Sequence, residues 1–531
     1  MDESIKILPN FKKFNSYIDD VKQGISPIML SGLTDVAKIH FAYSTFFYTE
    51  KPICIVTYNE LQAKKIIKDL QYFTNKVEYF PRREILSYDY LAESKDISNE
   101  RINCLNNIYS KKAKIIVTTI EAASQKIVTK NELYKNIVEI KENSIIELEE
   151  LKKKLFYLGY ERRDLVENAG EYSIRGGIID IGITKETGIR IELWGDEVDS
   201  IREFNIMSQR STEKVKTAKI YPATEFVLER NIEEVISDIL NDFDEEKVAE
   251  DIEEIKNGNY LSKVDKYFNY FYKNSETIID YIKENYIIFL DEISKIKARS
   301  ENIIKDNQNV IKSLMEKKRT VPQALTNLNN YIDFLGLIKN IQTIYLEKQD
   351  IGFVDKQSMH AKRNGYSFSY REVNFFRSSM DLCFKEIQQA QHDKKTIVIL
   401  TGNKDNTKKV KDLLLEKLEN LNNITVKEGE LSSGFECYDF NLLVICVKEL
   451  FAVPQKRKKL SQDFKQGETV IFSDLKIGDY VVHKTNGIGV FIGVNTIKAD
   501  GVTKDYIKIK YKDDDILYIP TNNLDNIRKY I

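Results

Sequence analysis

At 531 residues the chain is too long for one hydrophobic core, and its length argues for about three to five domains. Its 42% hydrophobic and 31% charged residues are those of an ordinary folded, water-soluble protein, and a formal net charge of −2 excludes a globally basic surface that would coat nucleic acid, leaving only local patches. The five cysteines (Cys54, Cys104, Cys383, Cys437 and Cys446) form no C-x-x-C pair, so zinc ribbons and redox motifs give way to buried, reduced thiols of a cytoplasmic protein. The N-terminus "MDESIKILPN" lacks the apolar core of a signal peptide, and no run is long enough to span a bilayer, so no membrane partner is expected.

In chain order, residues 1–138 alternate buried strands with amphipathic helices: "ISPIMLSGL", "KPICIVTYN" before "ELQAKKIIKDLQYF", and "AKIIVTTIEAAS". That pattern predicts a parallel sheet. Residues 139–225 read as short strands joined by Gly and Asp turns, a β-rich insertion. Residues 226–320 are helical and acidic until "NYIIFLDEI" restores a buried strand, so the first α/β domain is expected to be split around the insertion. Residues 321–358 read as a helical connector, 359–462 as a second α/β domain built on "KKTIVILTGN" and "FNLLVICVKEL", and 463–472 as a linker following the basic run "KRKK" (456–459). The closely spaced strands of 473–531 suit a small β-barrel. The expected fold is therefore multidomain, α/β and α+β.

"SGLTDVAK" (31–38) follows a strand and opens a helix, with Gly32 and Lys38 at the spacing of a phosphate-binding loop. Its second glycine is Ala37, the magnesium-binding hydroxyl is Ile39, and Asp35 adds a negative charge where phosphates would lie. Asp291-Glu292, at the end of a strand, resembles the acidic pair that holds magnesium in such enzymes. Without a phosphate cradle both features read as structural, against the alternative of a working ATPase. "SIRGGIIDI" and "IRIELW" carry Arg175, Arg190 and Trp194; strand alternation sets 190, 192 and 194 on one face. Arginine and tryptophan on an exposed face are hot-spot types for a protein interface, and a buried tryptophan with arginine–carboxylate pairs is the other reading. "PRREILSYDY" and "SNERI" offer either DNA contacts or a solvated loop. The four histidines (His40, His360, His392 and His483) lie apart and make no metal or catalytic constellation, so no catalytic residue and no metal site are assigned.

Together "LGYERRDLVENAGEYSIRGGIIDI", "DEVDSIREFN", "LSSGFE" and "LKIGDYVVHKTNGIGVFIGV…DYIKIKYKDDDILYIP" make a chain that resembles, over essentially its whole length, the bacterial transcription-repair coupling factor (Mfd) family. The first two motifs are shared with UvrB, the last with CarD-type polymerase-binding domains. The resemblance implies a degenerate P-loop-type domain carrying a UvrA-binding insertion, with Arg175, Arg190 and Trp194 on that surface; the family more often has phenylalanine at the last. It also implies a Tudor/SH3-like, CarD-like domain that grips the RNA polymerase β subunit through Thr496, Ile497 and Lys498. Where the family usually has a second histidine this chain has Asn486. The family's superfamily-2 helicase motor, with its ATP, its magnesium and most of its DNA contact, lies beyond the polymerase-binding domain. The chain is thus expected to be the docking half of a longer DNA translocase, without a cofactor of its own. The alternatives are a UvrB-like ATPase/helicase repair subunit and a pure RNA polymerase-binding regulator.

Overall fold

The structure, a computed structural model, describes residues 11–83, 95–227, 230–243, 245–257, 264–316, 327–373, 380–450, 478–483, 487–499, 502–511, 516–520 and 527–529. Most of "PRREILSYDY", the "KRKK" run, the 463–472 linker and Asn486 lie outside these residues. The chain divides into two compact units, one of residues 1–309 and 320–452, the other of 310–319 and 453–531.

The first unit begins with β1 (Ile28–Ser31), β2 (Ile53–Thr57), β3 (Val77–Phe80) and β4 (Ile115–Thr119). The insertion follows: β5 (Val138–Lys141), β6 (Glu161–Arg162), β7 (Glu171–Arg175), β8 (Ile178–Gly182), β9 (Thr187–Trp194), β10 (Glu197–Asn205), β11 (Ser211–Val215) and β12 (Thr217–Ile220). The chain then returns with β13 (Ile287–Asp291), β14 (Thr343–Leu346) and β15 (Gly365–Ser367). A parallel seven-stranded sheet has the order β15-β1-β14-β13-β2-β4-β3. Its central strands are buried throughout, as β-branched runs covered on both faces must be.

Two differences from the sequence reading follow. The 321–358 segment is not only a helical connector: its "TIYL" is β14, an inner strand of this sheet. Residues 365–367, inside the range expected for the second α/β domain but not read as a strand, form β15, which pairs with β1. Strands of three and four residues flanked by polar segments carry too little periodicity to be seen against a helical background, and β14 has no turn residue to mark it.

β16 (Tyr370–Glu372), β17 (Thr396–Leu400), β18 (Ile424–Lys427), β19 (Phe435–Cys437) and β20 (Leu442–Cys446) form a five-stranded mixed sheet in the order β16-β19-β20-β17-β18. The two sheets share a core. Val398 and Leu400 join Ile28, Leu30, Ile53 and Ile55 in one cluster with Phe14, Phe41 and Phe73 from the helices Lys12–Lys22, Asp35–Thr49 and Glu60–Phe73. Ile397 and Ile399 turn to the opposite side, as strand alternation requires. Polar ties reinforce the contact: the Ser432 hydroxyl donates to Asp69 Oδ2 at 2.6 Å, and Lys13 Nζ reaches Asp439 at 2.7 Å.

The insertion has its own core, built from Ile179, Ile181, Ile191, Val198 and Ile201 of the six-stranded sheet β11-β10-β9-β8-β7-β6 with Leu151 and Leu155 of the helix Leu148–Tyr157. At its root Arg101 is fully buried and donates to both oxygens of Glu225, from Nε at 2.8 Å and Nη2 at 2.9 Å. Nη1 donates to the Pro81 carbonyl at 2.6 Å, and the guanidinium lies 4.1 Å from the Phe80 ring centroid. The "SNERI" arginine is therefore neither a solvated loop residue nor free for DNA: it sits on the helix Lys95–Tyr109 and ties that helix to the end of the insertion.

The second unit contains β21 (Tyr480–His483), β22 (Gly487–Ala499), β23 (Val502–Lys510), β24 (Ile516–Pro520) and β25 (Ile527–Lys529), antiparallel in the order β24-β23-β22-β21-β25. Val481, Phe491 and Ile509 make its small core.

Among the described residues no helix is long and apolar enough to cross a membrane, and no three His, Cys, Asp or Glu side chains gather to hold a metal. The five thiols are free and buried, and burial pushes those of Cys54, Cys383, Cys437 and Cys446 up to about 12.

Candidate functional site

The Ser31–Lys38 loop turns β1 into the helix Asp35–Thr49, with Thr34 capping the helix by accepting from the Ala37 amide at 3.3 Å. Gly32 has φ +76°, and a Cβ there would stand 1.9 Å from the Phe368 carbonyl oxygen, because the chain after β15 lies directly over the loop. The Phe368 amide donates to the Ser31 carbonyl at 2.9 Å.

Lys38 is buried, and its ammonium donates to Asp291 Oδ1 at 2.8 Å and to Glu292 Oε1. Burial works to lower its pKa, but the two carboxylates outweigh burial and hold it above the ordinary lysine value. Asp291 Oδ2 accepts from Thr57 Oγ1 at 2.8 Å and from Gln62 Nε2 at 3.3 Å. Asp35 lies between Lys65 (2.8 Å) and Lys348 (3.0 Å). Burial raises its pKa, and the hydrogen bonds from the two lysines overcome that and bring it down to about 2. Ile39 and Ala37 are in the core. These residues do not fit a magnesium nucleotide: the lysine is held by the chain's own carboxylates, an aspartate takes the cations near the helix start, and a backbone carbonyl closes the glycine. Glu347, which sequence reading passed over, is also buried here; it accepts from the Ile293 amide at 2.9 Å, and burial pushes its pKa up to about 8.

On the same helix His40 is fully buried and stacks on Phe73 at 5.4 Å, with no hydrogen-bond partner for either ring nitrogen. Burial holds its pKa down to about 3. Between that value and the unfolded value near 6.5 the unfolded chain binds the extra proton, so stability falls as the pH falls through this window. His40→Leu is expected to flatten the acid limb of a urea-stability profile by on the order of 2 kcal/mol at pH 5 relative to pH 7. An unchanged profile would contradict the assignment.

The second candidate is the outer face of the insertion. Pairing sets Asp180 opposite Arg190 and Arg190 opposite Arg202, while Ile179, Ile191 and Ile201 form the row on the core side. Arg190, Glu192 and Trp194 thus share the polar face, as alternation predicts. Arg175 Nη2 donates to Asp180 Oδ2 at 2.8 Å; Arg190 donates from Nε to Oδ1 at 2.7 Å and from Nη2 to Oδ2 at 3.0 Å. The arginines therefore follow the carboxylate-paired reading and the tryptophan the exposed one, at 84% exposure. Glu197 pairs with Trp194 on one side and with Ile145, itself 81% exposed, on the other. Asp180 was missed because an aspartate amid isoleucines looks like simple alternation.

The third group lies in the second unit, where the register sets Thr496, Ile497 and Lys498 opposite Asp505, Lys504 and Thr503. The structure thus brings together Gly32, Lys38, Asp291 and Glu292 at one site and Arg175, Arg190 and Trp194 at another.

A split parallel α/β unit bearing a β-rich insertion, followed by a small antiparallel β unit, defines a multidomain protein of mixed α/β class. Residues 138–226 match the UvrB interaction domain family, and residues 475–531 match the CarD-like/TRCF RID domain family. The chain is similar to the transcription-repair-coupling factor of Bacillus subtilis (strain 168), 30% identical over 567 residues, covering 100% of this chain and 47% of that protein. It is likewise similar to those of Staphylococcus haemolyticus (28% identical; 99% of this chain, 46% of the relative) and Staphylococcus aureus strain MRSA252 (27%; 99% and 47%). The chain spans about half the length of these relatives. Over essentially its whole length the chain is thus similar to about half of each of these transcription-repair-coupling factors.

Proposed function

We propose that this chain is the docking half of a cytoplasmic transcription-repair coupling factor. The insertion recruits UvrA through the face of Arg175, Arg190 and Trp194. The 473–531 region, a small Tudor-like barrel, grips the RNA polymerase β subunit through Thr496, Ile497 and Lys498. Displacement of stalled polymerase, with its ATP, its magnesium and most of the DNA contact, belongs to the motor half of the whole protein. The observation that carries this reading is an exposed tryptophan on the same face as a fixed arginine pair, on a sheet whose other face packs on the insertion's core. In domain terms it takes 1–138 and 226–320 as the split UvrB-like domain, 139–225 as the UvrA-binding part and 359–462 as a unit of unassigned role, with β14 and β15 counted to the first sheet.

The test is UvrA binding by biolayer interferometry, wild type against Arg175→Ala/Arg190→Ala. Interface hot spots lose about 2 kcal/mol or more on truncation, so a loss of about thirtyfold is expected, with polymerase β binding unchanged. Equal affinity for both proteins would sink the reading and favour a pure polymerase-binding regulator.

A further inference from the structure

We infer that Asp180 is the positioning residue for the arginines of this face, and that the surface it leaves free fits a partner carboxylate set beside an apolar side chain. The inference rests on the UvrA-docking reading and goes beyond it, because Asp180 itself is fully buried and out of any partner's reach.

Asp180 lies on β8, between the strands that carry the two arginines. Its neighbours Ile179 and Ile181 anchor it in the insertion core. Ser173, directly opposite on β7, gives its hydroxyl to the Asp164 carbonyl at 2.7 Å, so the carboxylate serves the two guanidinium groups.

Those groups are used unequally. Arg190 spends Nε and Nη2 on Asp180, gives Nη1 to the Gln209 carbonyl at 3.2 Å and lies 4.9 Å from the Phe204 ring centroid; its side chain is 16% exposed. Arg175 makes one bond to Asp180 and stays 48% exposed, leaving Nε and Nη1 for a partner. Two cations around the Asp180 carboxylate leave one positive charge beside it, Arg202 extends the row across β10, Glu192 on the same face offsets part of this charge, and Lys214 on β11 is paired with Glu142 at 2.5 Å. A planar guanidinium held through one Nη2 hydrogen keeps one of its two forks, the other Nη2 hydrogen with Nε or with Nη1, for a carboxylate. Trp194 and Ile145, flanking Glu197, supply the apolar neighbour.

The experiment is a thermodynamic cycle in the full 531-residue chain, with UvrA affinity read by interferometry. Asp180→Asn and Arg175→Ala are each expected to weaken binding about thirtyfold. Combined, they should cost no more than about threefold beyond either alone, because contacting residues that act through one another are not additive. Trp194→Ala should weaken binding by the same factor in wild type and in Asp180→Asn, which reports that the face is still folded. Arg175→Lys, a surface change that leaves folding intact, should lose as much as Arg175→Ala, since the charge remains and the held fork does not. Full affinity in Asp180→Asn or in Arg175→Lys, or losses that multiply in the double variant, would overturn the positioning role while the docking reading stands. Unchanged affinity in Arg175→Ala and Trp194→Ala alike would overturn the docking reading and the inference with it.

Discussion

Lys38→Met is expected to destabilise the first unit by about 3–5 kcal/mol and to change no response to nucleotide. In a working phosphate loop the lysine faces the ligand, and its removal costs binding more than folding. Here the ammonium is the counter-ion of a buried carboxylate, Asp291, whose other oxygen is held by Thr57 and Gln62. Methionine fills the space and leaves that charge uncompensated. Urea unfolding gives the stability change, and melting with and without magnesium-ATP gives the ligand response, which a binding protein would show as a rise with ligand concentration. Lys38→Met/Asp291→Leu should recover most of the loss, because a buried pair can be replaced by well-packed apolar residues. A wild type that magnesium-ATP stabilises in a Lys38-dependent way would restore the ATPase alternative.

Breaking the ion pair at the insertion's root should cost as much. Glu225→Ala strands a fully buried guanidinium that keeps hydrogen bonds only to the Pro81 carbonyl and, at 3.2 Å, to Gln125, beside the Phe80 ring, so a loss of about 3–5 kcal/mol is expected. The same pair predicts acid sensitivity. Burial works to raise the Glu225 pKa, and the Arg101 charge prevails and holds it below the usual carboxylate value. Its contribution is therefore complete above that usual value and is lost as the pH falls through the lower folded one. In a urea series the wild type should weaken across this acid window more steeply than Glu225→Ala, which keeps only the His40 part of the loss; parallel profiles would refute the assignment. Loss of the pair should also loosen the insertion from the sheet, visible as faster amide exchange around Phe226.

How much of this was legible depended on whether a residue's role was local. β1, β2, β4 and β13 were readable because strands covered on both faces must be apolar throughout. The shared face of Arg190 and Trp194 was readable from alternation alone. β14 was not: it is as short and as buried as β1, but β1 is marked by Pro27 and Gly32 while "TIYL" stands between "KNIQ" and "EKQD" with no turn residue to set it off from the helical background. Nor were the partners of the charged residues: Arg101 and Glu225 lie 124 positions apart and Lys38 and Asp291 lie 253 apart, and only the folded sheet brings them together. In the sequence a buried arginine and a solvated one look the same.

The strand order also sets when the protein can fold during its synthesis. β6 to β11 are consecutive along the chain and pair only with one another, so the insertion's sheet can close soon after residue 215 leaves the ribosome. β1 and β2, made first, are separated in the finished sheet by β14 and β13, and β1 gains its outer neighbour only with residues 365–367. At roughly 5–20 residues per second, β2 meets its neighbour β4 within roughly 3–12 seconds, whereas β1 waits on the order of 15–60 seconds for β14. For that interval the nascent chain holds a finished insertion on an open, strongly apolar sheet. The helix Lys12–Lys22 and the helix opened by Ser31–Lys38 are made early enough to cover one face of the waiting strands, so this loop begins a segment on which nascent-chain solubility depends.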